Sequence, residues 1–169
     1  IAGDNYPHYI GLFYGADFRA RRITERLKAI TSATVADMSS VHAERVSIPA
    51  QVYVSALSRI ELTDARSVKA KELLIEWDGA MERGSAAAAI YSEMRLSLDR
   101  SVLGHLLGPL FDEAVSAGGR GAPFHVTHLR SLLVDMAAHG NSEWLPPGAT
   151  WESALARALR EAVASLTQR

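Results

Sequence analysis

The sequence contains no cysteine. That excludes disulfide frameworks, thiol nucleophiles and zinc–thiolate sites. No apolar run approaches the ~20 residues that a membrane-spanning helix needs, and no signal peptide stands out. Neither sign of charge is in excess: 18 Lys and Arg face 19 Asp and Glu, for a net charge of -1. A binder held to nucleic acid through phosphates would carry a basic surplus, so no nucleic-acid partner and no membrane partner is expected. Period-2 alternation of strand length is missing too, as is any internal repeat.

What is present suits a packed helical domain. The chain has 169 residues, 48% hydrophobic and 22% charged, enough apolar matter for a core. Apolar residues recur at helical spacing in segment after segment. Thr34-Val-Ala-Asp37 has the form of a capping box with Asp in the Glu position, so a helix begins near Val35. Its stripe, Met38, Val41, Ile48 and Val52, is interrupted by Pro49, which must kink or split it. Thr63 or Asp64 begins the next helix, whose stripe of Ala70, Leu74, Trp77 and Met81 stops at Gly79. Ser85 caps a helix lined by Ala87, Ile90, Met94 and Leu98. Leu103, Leu106, Leu107, Leu110 and Phe111 extend that face across Gly108-Pro109. A loop from Gly118 to Pro123 precedes a helix ending at His139, with Leu129, Leu132, Leu133 and Met136 as its stripe. Thr150 caps the last helix, in which Leu155, Leu159, Val163 and Leu166 face inward. The expectation is an all-α fold of six or seven helices in one domain, 1–169, led by an irregular aromatic segment.

The first helix, about Asp17 to Ile30, breaks a rule. Asp17 is a fitting N-cap, and Arg21 can pair with Glu25 on the outside. Ile23, Leu27 and Ile30 define one apolar face. Arg19, four residues before Ile23, falls on that same inward face. A cation there opposes the positive helix N-terminus and costs free energy if buried unpaired. Breaks of this kind concentrate at functional sites, which makes Arg19 the candidate residue; the alternative is that its stem lies on the apolar face and its head reaches water.

Other chemistry is sparse. His125 and His128, and His128, Asp135 and His139, have spacings that a metal could use. They flank the Leu and Met stripe, where solvated polar residues belong, so no metal site is expected. Asp99, Asp112 and Glu113 are ordinary helical acids. The glycines of 118–121 follow no strand and precede no Gly-Lys-Ser/Thr, so they form no phosphate cradle. No Gly-x-Ser-x-Gly elbow is present, and with Ile1 leading, the chain is expected to offer no N-terminal nucleophile.

Three blocks in order carry a resemblance. They are Tyr6-Pro7-His8-Tyr9-Ile10-Gly11 followed by Gly15-Ala16-Asp17-Phe18-Arg19-Ala20-Arg21-Arg22-Ile23; Trp77-Asp78-Gly79-x-Met81; and Ser85-Ala-Ala-Ala-Ala-Ile90-Tyr91. Together they resemble the β-chain of penicillin acylases, clearly over residues 1–95 and weakly beyond. The resemblance implies an N-terminal-nucleophile hydrolase with an αββα sandwich, matured by self-cleavage into two chains. In it a serine at the β-chain N-terminus attacks the amide carbonyl of an N-acyl substrate, with its own amine as base. An asparagine and a backbone N–H hold the oxyanion. Arg19 matches the arginine that organises that asparagine, and Leu12, Phe13 and Tyr14 fall near the approach to the acyl pocket. The partners implied are the α-chain and the sandwich of the β-chain. Calcium is a cofactor of the family, but the matching place here reads His8-Tyr9-Ile10, so no cofactor or metal is carried over to this chain. The location implied is periplasmic or secreted. The nucleophile and the sandwich strands are not in the sequence, so the chain alone is expected to be inactive and to self-associate. The alternative is a stand-alone helical interaction module presenting the aromatics of residues 6–14.

Overall fold

The computed structural model describes residues 6–9, 11, 15–116 and 124–168. Leu12, Phe13 and Tyr14, Ile10, and the 118–123 loop lie outside the described residues. The fold is all helical, and among the described residues no strand occurs, only an isolated antiparallel bridge between Val46 and Ala80. In chain order the helices are α1 (Phe18–Lys28), α2 (Val35–His42), α3 (Ile48–Ser58), α4 (Ala65–Ile75), α5 (Ala86–Leu107), α6 (Phe111–Ser116), α7 (Phe124–His139) and α8 (Trp151–Thr167). A 3-10 turn, Gly108–Leu110, joins α5 to α6. The split expected at Pro49 gives the seventh helix, and the break at Gly108-Pro109 adds the short eighth. Pro49 sits in the first turn of α3, so it splits the expected stripe into α2 and α3. Gly108, at φ +51°, ends α5 and isolates the six-residue α6.

Helix starts follow their caps. Thr34 and Asp37 complete a reciprocal capping box, with Asp37 N donating to Thr34 Oγ1 at 3.2 Å and Thr34 N to Asp37 Oδ2 at 2.9 Å. Asp64 accepts from Ser67 N at 2.8 Å, Ser85 from Ala88 N at 3.1 Å, and Thr150 from Ser153 N at 3.2 Å. Each satisfies a first-turn N–H that the helix itself leaves unbonded.

The chain divides into two compact units, residues 1–45 and 46–169. The first holds α1 and α2. In the second, α5 and α8 share the largest packing surface, α4 packs on both, and α3 packs on α4, α7 and α8. Met94 and Leu98 of α5 and Leu155 and Leu159 of α8 are wholly buried, each contributing roughly 1.5–3 kcal/mol by transfer from water. Ala87 and Ala88 are buried near the start of α5, as the small side chains of the alanine run suggested.

Some expected stripes end early. Trp77 and Met81 lie beyond α4, which stops at Ile75. Leu106 and Leu110 are exposed, so the apolar face of α5 is covered only as far as Leu103. Leu132 of α7 is also partly exposed, whereas Leu133, Val134 and Met136 carry the burial.

Candidate functional site

Arg19 occupies the second position of α1. Its side chain is exposed, and it makes no ion pair or hydrogen bond with another described residue. The expectation of an inward cation is thus corrected for this chain. The physical reason is that the face it shares is not covered here. Leu27 is 44% exposed, and no residue of α1 is buried.

The inward side of α1 is instead its charged side. Glu44 has a side chain only 6% exposed, and two guanidiniums converge on its Oε2: Arg22 at 3.1 Å and Arg26 at 3.2 Å. Arg22 also reaches Glu25 at 2.8 Å, and Arg26 donates to Ser40 Oγ at 2.6 Å. Arg22 and Arg26 are four residues apart on one helix face, which is why one carboxylate can take both. This corrects two further expectations. Arg21 pairs with Asp17 at 3.6 Å and lies over the Phe18 ring, so Glu25 pairs with Arg22 instead. Asp17 holds the N-cap position but makes no side-chain cap bond.

Of the leading aromatics, Tyr6 and Tyr9 are exposed, and the Tyr6 ring meets the His8 ring edge-on at 5.6 Å. The acyl-pocket candidates Leu12, Phe13 and Tyr14 fall outside the described residues, so no geometry joins them to Arg19. His139 bonds locally, its Nδ1–H donating to the Asp135 carbonyl oxygen at 2.8 Å. Among the described residues no three His, Asp or Glu side chains gather as a metal site.

The Trp77-Asp78-Gly79 motif spends its groups on its own turn. Trp77 Nε1 donates to Ala80 O at 3.0 Å, and Asp78 Oδ1 accepts from Ala80 N at 2.8 Å. Gly79, at φ +84°, turns its carbonyl toward Ser47 N, 2.9 Å away. A side chain at that φ would be strained. The Trp77 ring packs on Tyr91, 5.7 Å between centroids.

A polar group that the sequence reading passed over as an ordinary helical acid lies within the second unit. Asp99, 3% exposed, accepts from Arg130 Nε at 2.6 Å, tying α5 to α7. Burial pushes its carboxyl above the usual carboxylate range, although Arg130 and Arg95 both oppose the shift. Tyr53 and Tyr91 are each 2% exposed, and burial raises both phenols. Tyr91 Oη has no partner at hydrogen-bonding geometry, though Ser47 stands near enough to offset part of its shift. The signal was in the spacing: Tyr91, Arg95 and Asp99 recur at i, i+4 and i+8, a polar line on the helix that carries most of the core. Through Asp99 and Arg130 this line braces α5 against α7.

Residues 1–169 match, from end to end, the family model described as Penicillin amidase. The penicillin acylase 2 proenzyme of Pseudomonas sp. (strain SE83) is 29% identical over 174 residues, an alignment that covers all of this chain and 22% of that proenzyme. The chain thus spans about a fifth of the length of the curated relative it matches. An all-helical chain carrying the Gly-Ala-Asp-Phe-Arg block at the start of α1 and the Trp-Asp-Gly turn before α5, and matched over its whole length, belongs to the penicillin amidase family.

Proposed function

We propose that this chain is the helical part of the β-chain of a penicillin-acylase-like amidohydrolase. The parent cleaves N-acyl amides through an acyl-enzyme on an N-terminal serine, and Arg19 positions the asparagine that holds the oxyanion. The observation that carries this reading is the family match over residues 1–169. The state of α1 agrees with it. Ile23, Leu27 and Ile30 line a face of which nothing is fully buried, as suits a helix completed by the α-chain and the β-chain sandwich. Arg19 stands on that helix with its guanidinium unengaged by the described residues. Leu12, Phe13 and Tyr14 remain the acyl-pocket candidates of this reading, and its location is periplasmic or secreted. Calcium does not fit the residues here: after Pro7 the chain offers His8 and Tyr9, neither a carboxylate.

In the full-length amidase, Arg19→Ala is expected to lower kcat by about tenfold or more with a smaller change in KM. The effect stays below the ~10²–10³ lost when an oxyanion donor is removed outright. An Arg19→Ala enzyme with unchanged kcat refutes the positioning role. The chain alone is expected to turn over neither phenylacetyl nor fatty-acyl amides, and turnover by it would overturn the dependence on the parent's nucleophile.

The exposure of Tyr6 and Tyr9 favours a second reading, an interaction module without catalysis. The neighbouring coding sequence separates the two. An upstream Ser at a cleavable junction and an Asn shortly before Ile1 support the amidase.

A further inference from the structure

We propose that Glu44 is a positioning residue for amide hydrolysis: through Arg22 and Arg26 it sets the roll of α1, and with it the aim of Arg19. The inference rests on the function proposed above, which gives Arg19 its task. It needs no surface to be free, since every contact it uses lies within the first unit, residues 1–45.

Helix α1 buries none of its residues. Apolar contact is non-directional, so a helix seated by area alone can roll. Hydrogen-bonded ion pairs resist rolling, because donor and acceptor must agree in direction as well as distance. Glu44 Oε2 takes Arg22 at 3.1 Å and Arg26 at 3.2 Å, and Arg26 also donates to Ser40 Oγ at 2.6 Å. The two arginines are about 6 Å apart along the axis of α1, so together they fix both its roll and its height. The receiving side is itself held. Ser40 lies in α2, whose start carries the reciprocal capping box, and Glu44 N donates to Val41 O at 3.3 Å just past its end. With the Glu44 side chain only 6% exposed, water screens this charge little.

Arg19, Arg22 and Arg26 stand at i, i+3 and i+7, on one side of the helix. Arg19 lies about 4.5 Å along the axis from Arg22 and about 60° round from it. A roll of α1 that breaks the clamp therefore swings Arg19 by the same angle. With Glu44 neutral, Arg22 and Arg26 repel each other at i, i+4 and nothing directional opposes the roll. Misplacement of about 1 Å is enough to slow an enzyme severely.

The test is kinetics in the full-length amidase, with rates normalised to active sites by titration of the serine. Glu44→Gln, which keeps the shape and removes the charge, is expected to lower kcat by about threefold to tenfold with KM within about twofold. Glu44→Asp, which keeps the charge, should hold kcat within about twofold of the native enzyme. In an Arg19→Ala background, Glu44→Gln should alter kcat by less than about twofold, because the residue through which it acts is gone. If Glu44→Gln does not fold or mature, Arg26→Gln repeats the test from the more exposed side of the clamp, with the same dependence on Arg19. A normal kcat in Glu44→Gln beside a slow Arg19→Ala overturns the inference and leaves the proposed function standing. An equal loss in both backgrounds also overturns it, since Glu44 then supports the fold and not Arg19. An Arg19→Ala enzyme with unchanged kcat sinks the role proposed for Arg19, and this inference with it.

Discussion

Helices α1 and α5 both carry apolar residues at helical spacing, yet they are held by different forces. Helix α5 buries Ala87, Ile90, Met94, Leu98, Val102 and Leu103, among others, and α8 supplies much of the opposite wall. Helix α1 buries none of its 11 residues; its inward contacts are the guanidiniums of Arg22 and Arg26 on Glu44. Apolar burial is non-directional and scales with area, whereas ion pairs that are part exposed are worth at most about 1 kcal/mol apiece. The difference teaches that an apolar stripe reports a demand for cover. It does not report where the cover comes from.

The contrast can be broken from either side. The largest effect is expected in the core of the second unit. Leu98→Ala should cost about 2–5 kcal/mol in chemical denaturation, because Leu98 is wholly buried and the cavity is not refilled. Its loss should leave the exchange of α1 amides unchanged. A smaller effect is expected from Glu44→Gln. Removing the charge that Arg22 and Arg26 share should weaken α1 by about 1–2 kcal/mol, read as faster amide exchange in α1 with α5 as the internal control. If α1 exchanges no faster, the arginine pair is decoration and some other contact holds the helix.

The smallest and most diagnostic effect is in pH. The Asp99 carboxyl is raised from its ordinary 3.8 by burial, which outweighs the attraction of Arg130. Its stabilising contribution is therefore fully present below 3.8 and is lost as pH rises through the raised folded value. Glu161 behaves oppositely. Burial pushes it up, but the Ser97 hydroxyl, which donates to it, and Arg157 at 2.7 Å bring it below 4.5. Its contribution is present above 4.5 and is lost as pH falls through the lowered value. Relative to the native chain, Asp99→Asn should thus lose ground as pH falls toward 3.8, and Glu161→Gln should gain ground below 4.5. Parallel trends in urea titrations would show that the Asp99–Arg130 pair outweighs its burial after all.

Much of the architecture was legible because local chemistry decides it. The caps at Thr34, Ser85 and Thr150 and the stripe from Ala87 to Leu98 act within one or two helical turns, and the structure has them where the residues say. Pro49 was readable as a break, though not as the first turn of a new helix. Arg19 was legible as an anomaly, but not in its burial, since that depends on what lies against α1. The Asp17 cap was misread because Arg21, one turn on, competes for the same carboxylate. Asp99 was passed over because an acid in a helix looks solvated until another helix brings Arg130 to it.

The proposed function makes α1 half of a contact whose other half lies elsewhere in the parent protein. Amide hydrogen exchange of α1, measured in this chain and in the full-length enzyme, tests it most directly. The account predicts fast exchange across Phe18–Lys28 in the chain alone, with α5 and α8 protected, and strong protection of α1 in the full-length enzyme. Protection of α1 in the chain alone equal to that in the full-length enzyme would contradict it.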